Sequence, residues 1–254
     1  MTAAQRTLAI LGAFDEGHRV LTLSEISRRA GLTLSTAHRL VGELHAWGAL
    51  ARSTEGRYAI GMRLLELGSL EPQGLHLREV ALPYFRELQV ATNANVHLSV
   101  LDGHDTVYVE SWRVHNGPRV LSRTGGRWPL HATATGQVLL SYASQQLQDE
   151  VLTTPLQSYT PMTLTDPEVL RRVMSDVRRM GVAIAEDSIT PHATAAAVPI
   201  RGPHGRVVAA LGVTVHSKST TIQALLPALS TAARAISRTL AAPSAVAQFR
   251  TAAV

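Results

Sequence analysis

Two stretches of this chain carry residue types that could do chemistry. The first is Arg127-Trp128-Pro129-Leu130-His131-Ala132-Thr133-Ala134-Thr135-Gly136, which leads into an apolar helix containing Val138, Leu139 and Leu140. A helix start built from small residues leaves backbone N–H groups facing outward, and the helix dipole there favours an anion such as a carboxylate. Trp128 reads either as a core aromatic or as an apolar wall for a bound molecule. His131, close to Pro129, reads as a hydrogen-bonded packing histidine. The second stretch is Ser35-Thr36-Ala37-His38-Arg39, where small hydroxyl residues and an arginine would suit the base edges and phosphates of a nucleic acid.

Other chemistries find no support in the residues. There is no cysteine, so disulfides, thiolate zinc sites and thiol catalysis are out. No Gly-x-Ser-x-Gly elbow, His-Glu-x-x-His, phosphate-binding loop or dinucleotide loop occurs, which argues against an enzyme and leaves no cofactor to expect. The eleven histidines include no i, i+4 pair. A metal-dependent sensor therefore remains only as an alternative, beside a non-specific architectural nucleic-acid-binding module. The latter is weakened by an aromatic content of 4%, because single-strand and RNA binders need stacking platforms.

A chain of 254 residues suffices for one large or two ordinary domains. Apolar residues make up 45% and charged residues 17%, a balance that supports a packed core. The net charge is +5, and basicity is densest at the start: eight arginines against five acids through Arg63, then sixteen basic residues against fourteen acids. A polyanion partner would be engaged there. No run of about 18 apolar residues occurs, so a cytoplasmic protein without a membrane span is expected.

Helical spacing of Leu8, Leu11 and Phe14, with Ala4 and Thr7 a turn earlier, predicts a first helix ending at Asp15-Glu16-Gly17-His18. Thr22 and Glu25 form a capping box that opens a second helix running to about Ala30. After the turn Gly31-Leu32-Thr33, a third helix spans Leu34 to Trp47 and buries Ala37, Leu40, Val41 and Leu44. Ser35, Thr36, His38, Arg39 and Glu43 then face outward. Two short strands, Leu50-Ala51-Arg52 and Gly56 to Ile60, joined by Ser53-Thr54-Glu55, read as a wing that places Arg52 and Arg57 for phosphates. A winged helix-turn-helix binding double-stranded DNA follows, with Arg6, Ser24 and Tyr58 completing the candidate interface. One recognition helix reads too few base pairs to specify a genomic site, so at least a dimer is expected.

The strings Arg6-Thr7-Leu8-Ala9-Ile10-Leu11, Leu23-Ser24-Glu25-Ile26, Gly31 to Leu40 and Gly56 to Gly61 resemble IclR-type regulators. The likeness continues through Leu64-Leu65-Glu66-Leu67-Gly68, Pro129 to Gly136, Tyr159-Thr160-Pro161, Thr165-Asp166-Pro167 and Gly205 to Leu211. The resemblance implies an α+β protein: a winged helix-turn-helix domain over 1–62, a linker helix over 63–75 and a GAF/PAS-like effector-sensing domain over 76–254. It also implies a homodimer or dimer of dimers acting on an operator, usually as a repressor, and a small-molecule effector. Independently, strands are expected at 96–101, 106–112, 182–186, 193–200 and 206–215, with helices at 75–92, 134–142, 167–180 and from Thr220 to Leu240.

By this resemblance the amides of Ala134 and Thr135 would hold the effector's acidic end, and Trp128 and Val120 would form an apolar wall. Relatives that sense small oxo-acids carry an aspartate, a cysteine and two serines where an ungapped carry-over puts Ala185, Ala195, Gly212 and Thr214. Loss of polar side chains there implies a larger, less polar pocket and an aromatic or bulky carboxylate. His192 stands where relatives have glycine and would narrow the pocket or add a polar handle.

Overall fold

The structure, a computed structural model, describes residues 1–120, 122–218 and 221–242. The chain forms two compact units, Met1–Pro72 and Gln73–Val254, dividing within the stretch expected as a linker.

The first unit contains α1 (Ala3–Leu11), β1 (Val20–Leu21), α2 (Leu23–Arg29), α3 (Leu34–Trp47), β2 (Leu50–Arg52), β3 (Tyr58–Ile60) and α4 (Met62–Gly68). Caps set where the helices start. Thr2 and Gln5 form a capping box on α1, as Thr22 and Glu25 do on α2. The Thr33 hydroxyl accepts from the Thr36 N–H at the start of α3, and left-handed Gly48 ends that helix. The resulting core joins Ile10, Ile26, Leu40, Val41 and Leu50.

The phase of α1 differs from the expected one. Leu8 is 64% exposed and Ile10 is fully buried. At about 100° of rotation per residue, two positions move a side chain to nearly the opposite face. Packing against Ile26 of α2 and Leu40 and Val41 of α3 turns Ile10 inward, with Leu11 and Phe14 packed partly beside it. The wing also differs. It is a three-stranded antiparallel sheet in the order β1-β3-β2, and β1 was not foreseen. Gly56 and Arg57 belong to its turn rather than to a strand, because Gly56 takes φ 78° and donates its N–H to the Ser53 carbonyl (3.0 Å).

The second unit contains α5 (Pro72–Thr92), β4 (Asn95–Asp102), β5 (Asp105–Trp112), β6 (Arg127–Pro129), α6 (Ala134–Ser141), α7 (Gln145–Thr153), α8 (Pro167–Met180), β7 (Ala183–Glu186), β8 (Ala193–Arg201), β9 (Val207–His216) and α9 (Ile222–Leu240). The expected helix start at Thr220 and domain end at Val254 lie outside the described residues. Asp166 caps α8 with Pro167 in its first turn, and left-handed Gly181 ends it. β6 and α7 were not expected. The six strands form one antiparallel sheet in the order β6-β5-β4-β9-β8-β7.

Period-two alternation divides the strand residues between two helical layers. Val96, Leu98, Val198, Leu211 and Val213 pack with Phe85 of α5 and Leu229 of α9. On the opposite face Ala183, Ala185, Ala197 and Ala210 pack with Val138 of α6, Val151 of α7 and Met174 of α8. That second face is made almost wholly of small residues, so α6 can lie close to the sheet. A Cβ on Gly212 would meet the Thr135 methyl at 2.9 Å, and one on Gly136 would meet the Leu130 carbonyl at 2.5 Å.

Glycines in the first unit give a direct test of these packing constraints. A Cβ on Gly61 would lie 2.1 Å from the Gly48 carbonyl oxygen, whereas one on Gly42, inside α3, meets nothing within 4 Å. Gly61→Ala should destabilise the unit by about 2–3 kcal/mol. Gly42→Ala should stabilise it by about 0.5–1 kcal/mol. Hydrogen-exchange protection of the α3 amides should fall in the first variant and rise in the second; equal effects would refute the assigned packing.

Candidate functional site

On the first unit, Ser24, Ser35, His38 and Arg39 are exposed, while Thr36 and Arg6 are half-buried. The Thr33 hydroxyl donates to the Thr36 hydroxyl (2.9 Å) and lies 3.3 Å from that of Ser35, so the first turn of α3 presents a row of small polar groups. Arg39 pairs with Glu43 one turn on, both more than half exposed. Such an exposed pair contributes at most about 1 kcal/mol.

The wing residues divide by role. Arg52 is exposed, its guanidinium 5.6 Å from the centroid of the Tyr58 ring. Tyr58, expected at the interface, is buried in the domain core and anchors the wing from inside. Its position on β3, paired with Leu21 and Arg52, turns the ring inward. Arg57 donates to the Val20 carbonyl (3.4 Å) and stands 3.9 Å from the Glu25 carboxylate, which ties wing to α2. The Thr22 N–H and hydroxyl, followed by Arg57 and Arg28, hold Glu25 below the usual carboxylate range.

In the second unit the sheet, the amino end of α6 and the segments after β5 and β7 surround a cavity with about 550 Å³ of atom-free space, part of it open to solvent. Ala185, Ala195 and Thr214 lie in one row across β7, β8 and β9. Gly212 pairs with His97 of β4 in the adjoining row. These residues, with Val120, Trp128, Ala134 and Thr135, line the cavity. His192 does not. It sits exposed at φ 61° in the turn closed by the Ala193 N–H on the Thr190 carbonyl (3.3 Å), which directs its side chain to solvent.

The amino end of α6 has the electrostatics of an anion site. The Thr133 hydroxyl accepts from the Gly136 N–H (2.9 Å) and its carbonyl from the Gln137 N–H (2.8 Å). The N–H groups of Ala134 and Thr135 meet no acceptor among the described residues. Thr135 donates to the Tyr108 hydroxyl (3.4 Å). Trp128, half-buried on β6, meets Tyr159 edge to face at 5.5 Å. His131 is buried, bonded to the Gln157 carbonyl (2.9 Å) and held below the usual imidazole range by burial.

Among the described residues, none that lines the cavity is an Asp, Glu, Lys or Arg. Burial, with Arg113 adding to it, pushes His97 down to about 3, so this imidazole is neutral at physiological pH. Its Nδ1 lies 3.0 Å from the Ser111 hydroxyl, and its ring meets Tyr108 edge to face. Positive potential at the cavity comes from the amino end of α6 and, behind His97 and Ser122, from the Arg113 guanidinium.

One expectation about volume is corrected. Gly212 does not enlarge the pocket, since the space a side chain would take is filled by the Thr135 methyl. His97, Tyr108, Ser122 and Ser188 also line the cavity and were not foreseen. They come from segments distant in sequence, and only the sheet register brings them together. Among the described residues no three metal-ligating side chains lie together, and no helix is long and apolar enough to cross a membrane.

Comparison with known proteins agrees with both units. Residues 72–238 match the family described as "Bacterial transcriptional regulator IclR C-terminal", and residues 3–54 match "IclR helix-turn-helix domain". The chain is 32% identical over 213 residues to the HTH-type transcriptional regulator XynR of Escherichia coli, covering 83% of this chain and 84% of that protein. It is 28% identical over 221 residues to the HTH-type transcriptional repressor AllR of the same species, covering 86% and 82%. The crystal structure of an IclR homolog complexed with 4-hydroxybenzoate from Microbacterium hydrocarbonoxydans superposes with a TM-score of 0.87 at 36% identity, covering 94% of this chain and 99% of that one. These relatives are regulators and not enzymes. With a winged helix-turn-helix unit and an α+β sensing unit both matched, the chain belongs to the IclR family of bacterial transcription regulators, which bind DNA and respond to small-molecule effectors.

Proposed function

We propose that this regulator is a cytoplasmic repressor that binds a palindromic operator as a homodimer or dimer of dimers, and that an aromatic or similarly bulky carboxylate modulates it. One observation carries the effector assignment: the amides of Ala134 and Thr135, without an acceptor among the described residues, open on a cavity whose described lining residues carry no charged side chain, with Trp128 on its wall. A carboxylate on the amides satisfies two N–H groups and meets the helix dipole, while a ring covers the apolar wall. A two- or three-carbon oxo-acid would find no hydrogen-bonding side chain at Ala185, Ala195 or Gly212 and would leave apolar volume unfilled. The 4-hydroxybenzoate held by the Microbacterium homolog supports this reading. The name of AllR supports repression.

For DNA, Ser35, Thr36 and His38 approach base edges, Arg39 and Arg52 bind phosphates, and Arg57 fixes the wing against α2. Ser24 and Arg6 lie on the same unit as supporting contacts. Two copies of the recognition helix supply the length of site that one cannot.

Two measurements follow. Arg39→Ala should weaken binding to operator and random duplex about equally and reduce the salt slope by about one unit. Fluorescence anisotropy over a salt series reads this, and an unchanged slope would remove Arg39 from the interface. Calorimetry should show benzoate binding on the order of tenfold tighter than pyruvate, with Ala195→Asp abolishing the benzoate signal by burying a charge that lacks a partner. Tight pyruvate binding without a response to benzoate would refute the effector assignment.

A further inference from the structure

A buried histidine stands beside the amides of Ala134 and Thr135. His97 of β4 lines the cavity and is 3% exposed. Its Nδ1 lies 3.0 Å from the Ser111 hydroxyl, and its Nε2 has no hydrogen-bond partner among the described residues. Nε2 is not among the unpartnered atoms sealed from all accessible space, so in a side chain buried on every other side it opens on the cavity. A buried nitrogen left open in this way is unfavourable until a ligand or water completes it.

The sheet register sets its place. His97 pairs with Gly212 of β9, and a Cβ on Gly212 would meet the Thr135 methyl at 2.9 Å, so His97 lies one strand from the point where α6 touches the sheet. Paired Cα atoms on antiparallel strands are only about 4.5–5.5 Å apart. Tyr108 spans the same interval, its ring edge to face with His97 at 5.4 Å and its hydroxyl accepting from Thr135 (3.4 Å). A carboxylate on the two amides is therefore within reach of the imidazole.

Beside an anion the ring must present a hydrogen and not a lone pair. Burial, with Arg113 adding to it, keeps the ring uncharged, so it carries one hydrogen, on Nδ1 or on Nε2. Ser111 decides between them. Its hydroxyl has one hydrogen and two acceptors in range, His97 Nδ1 at 3.0 Å and the Ser122 carbonyl at 3.4 Å, and that carbonyl already accepts from the Arg113 guanidinium (2.8 Å). Donation to the nearer Nδ1 leaves the ring hydrogen on Nε2, facing the cavity.

We propose that His97 is a third donor to the effector's carboxylate, through Nε2–H, with Ser111 as the positioning residue that holds this tautomer. The proposal rests on the carboxylate reading of the α6 amino end and adds a side chain to a site otherwise made of backbone amides.

The test uses the full-length protein with benzoate as the probe. Two-bond 1H–15N correlation spectra show which ring nitrogen carries the hydrogen, and the His97 signals are those that vanish in His97→Gln. In the benzoate complex the ring should be the Nε2–H tautomer with bare Nδ1, and in ligand-free Ser111→Ala that single form should give way to a mixture. Calorimetry should show benzoate bound on the order of tenfold more weakly by His97→Leu, with most of the loss restored in His97→Gln, whose side-chain N–H can stand in for Nε2–H. The proposal is overturned if the complex shows Nδ1–H or the imidazolium, if Ser111→Ala leaves the tautomer unchanged, if His97→Leu binds benzoate as tightly as the unmodified protein, or if His97→Gln binds no better than His97→Leu. Any of these results with the Ala134 and Thr135 amides still responding to benzoate removes His97 alone. Failure of benzoate to bind, or to move those amides, removes the carboxylate reading and this one with it.

Discussion

The close approach of α6 to the sheet is the constraint on which the sensing unit depends. Gly212 leaves room for the Thr135 methyl, Gly136 passes the Leu130 carbonyl without a side chain, and Ala183, Ala185, Ala197 and Ala210 keep the rest of that sheet face low. Larger residues at these positions would lift the helix away and carry its amino end out of the concavity. Packing density and the placing of the α6 amino end are thus set by the same small residues. The larger aliphatic residues Leu98 and Leu211 lie on the other face against α5 and α9 and supply cohesion without lining the cavity.

The electrostatic consequence follows from that geometry. In a cavity lined by alanines, hydroxyls and aromatic rings, the pair of N–H groups at the helix start would, on the proposed reading, orient one carboxylate of a bound effector. Neutral His97 and protonated Tyr108, whose hydroxyl burial pushes up, keep the enclosure free of competing charge. Any effect of the effector on DNA binding must come from unequal affinity for two states of the protein, since a ligand that binds both equally shifts neither.

Sequence reading succeeded where local chemistry alone determines structure. The bounds of α3 follow from the Thr33 cap and Gly48, and those of α8 from Asp166-Pro167 and Gly181, and both were legible to the residue. It failed where tertiary context decides. The face of α1 that is buried turns on its packing against α2 and α3, two-residue β1 exists only because β3 pairs with it, and α7 is nine residues with three glutamines and only Leu147, Val151 and Leu152 as large apolar positions. In the cavity, Trp128 and the α6 start stood out because they lie in one contiguous motif. His97, Ser122 and Ser188 carried no such signal, since they reach the cavity only through strand pairing and through carbonyl bonds made elsewhere. His192 was misplaced because a left-handed turn reverses the direction a linear carry-over assigns to it.

The central claim is that the amino end of α6 holds the effector's carboxylate. Titration of benzoate into 15N-labelled full-length protein tests it most directly, because amide resonances report the acceptor at each N–H individually. The Ala134 and Thr135 amides should shift downfield, as hydrogen bonds to a carboxylate require, and should saturate together with the calorimetric binding curve. Saturation with both resonances unmoved, and the shifts confined to other amides, would place the carboxylate elsewhere and contradict the account.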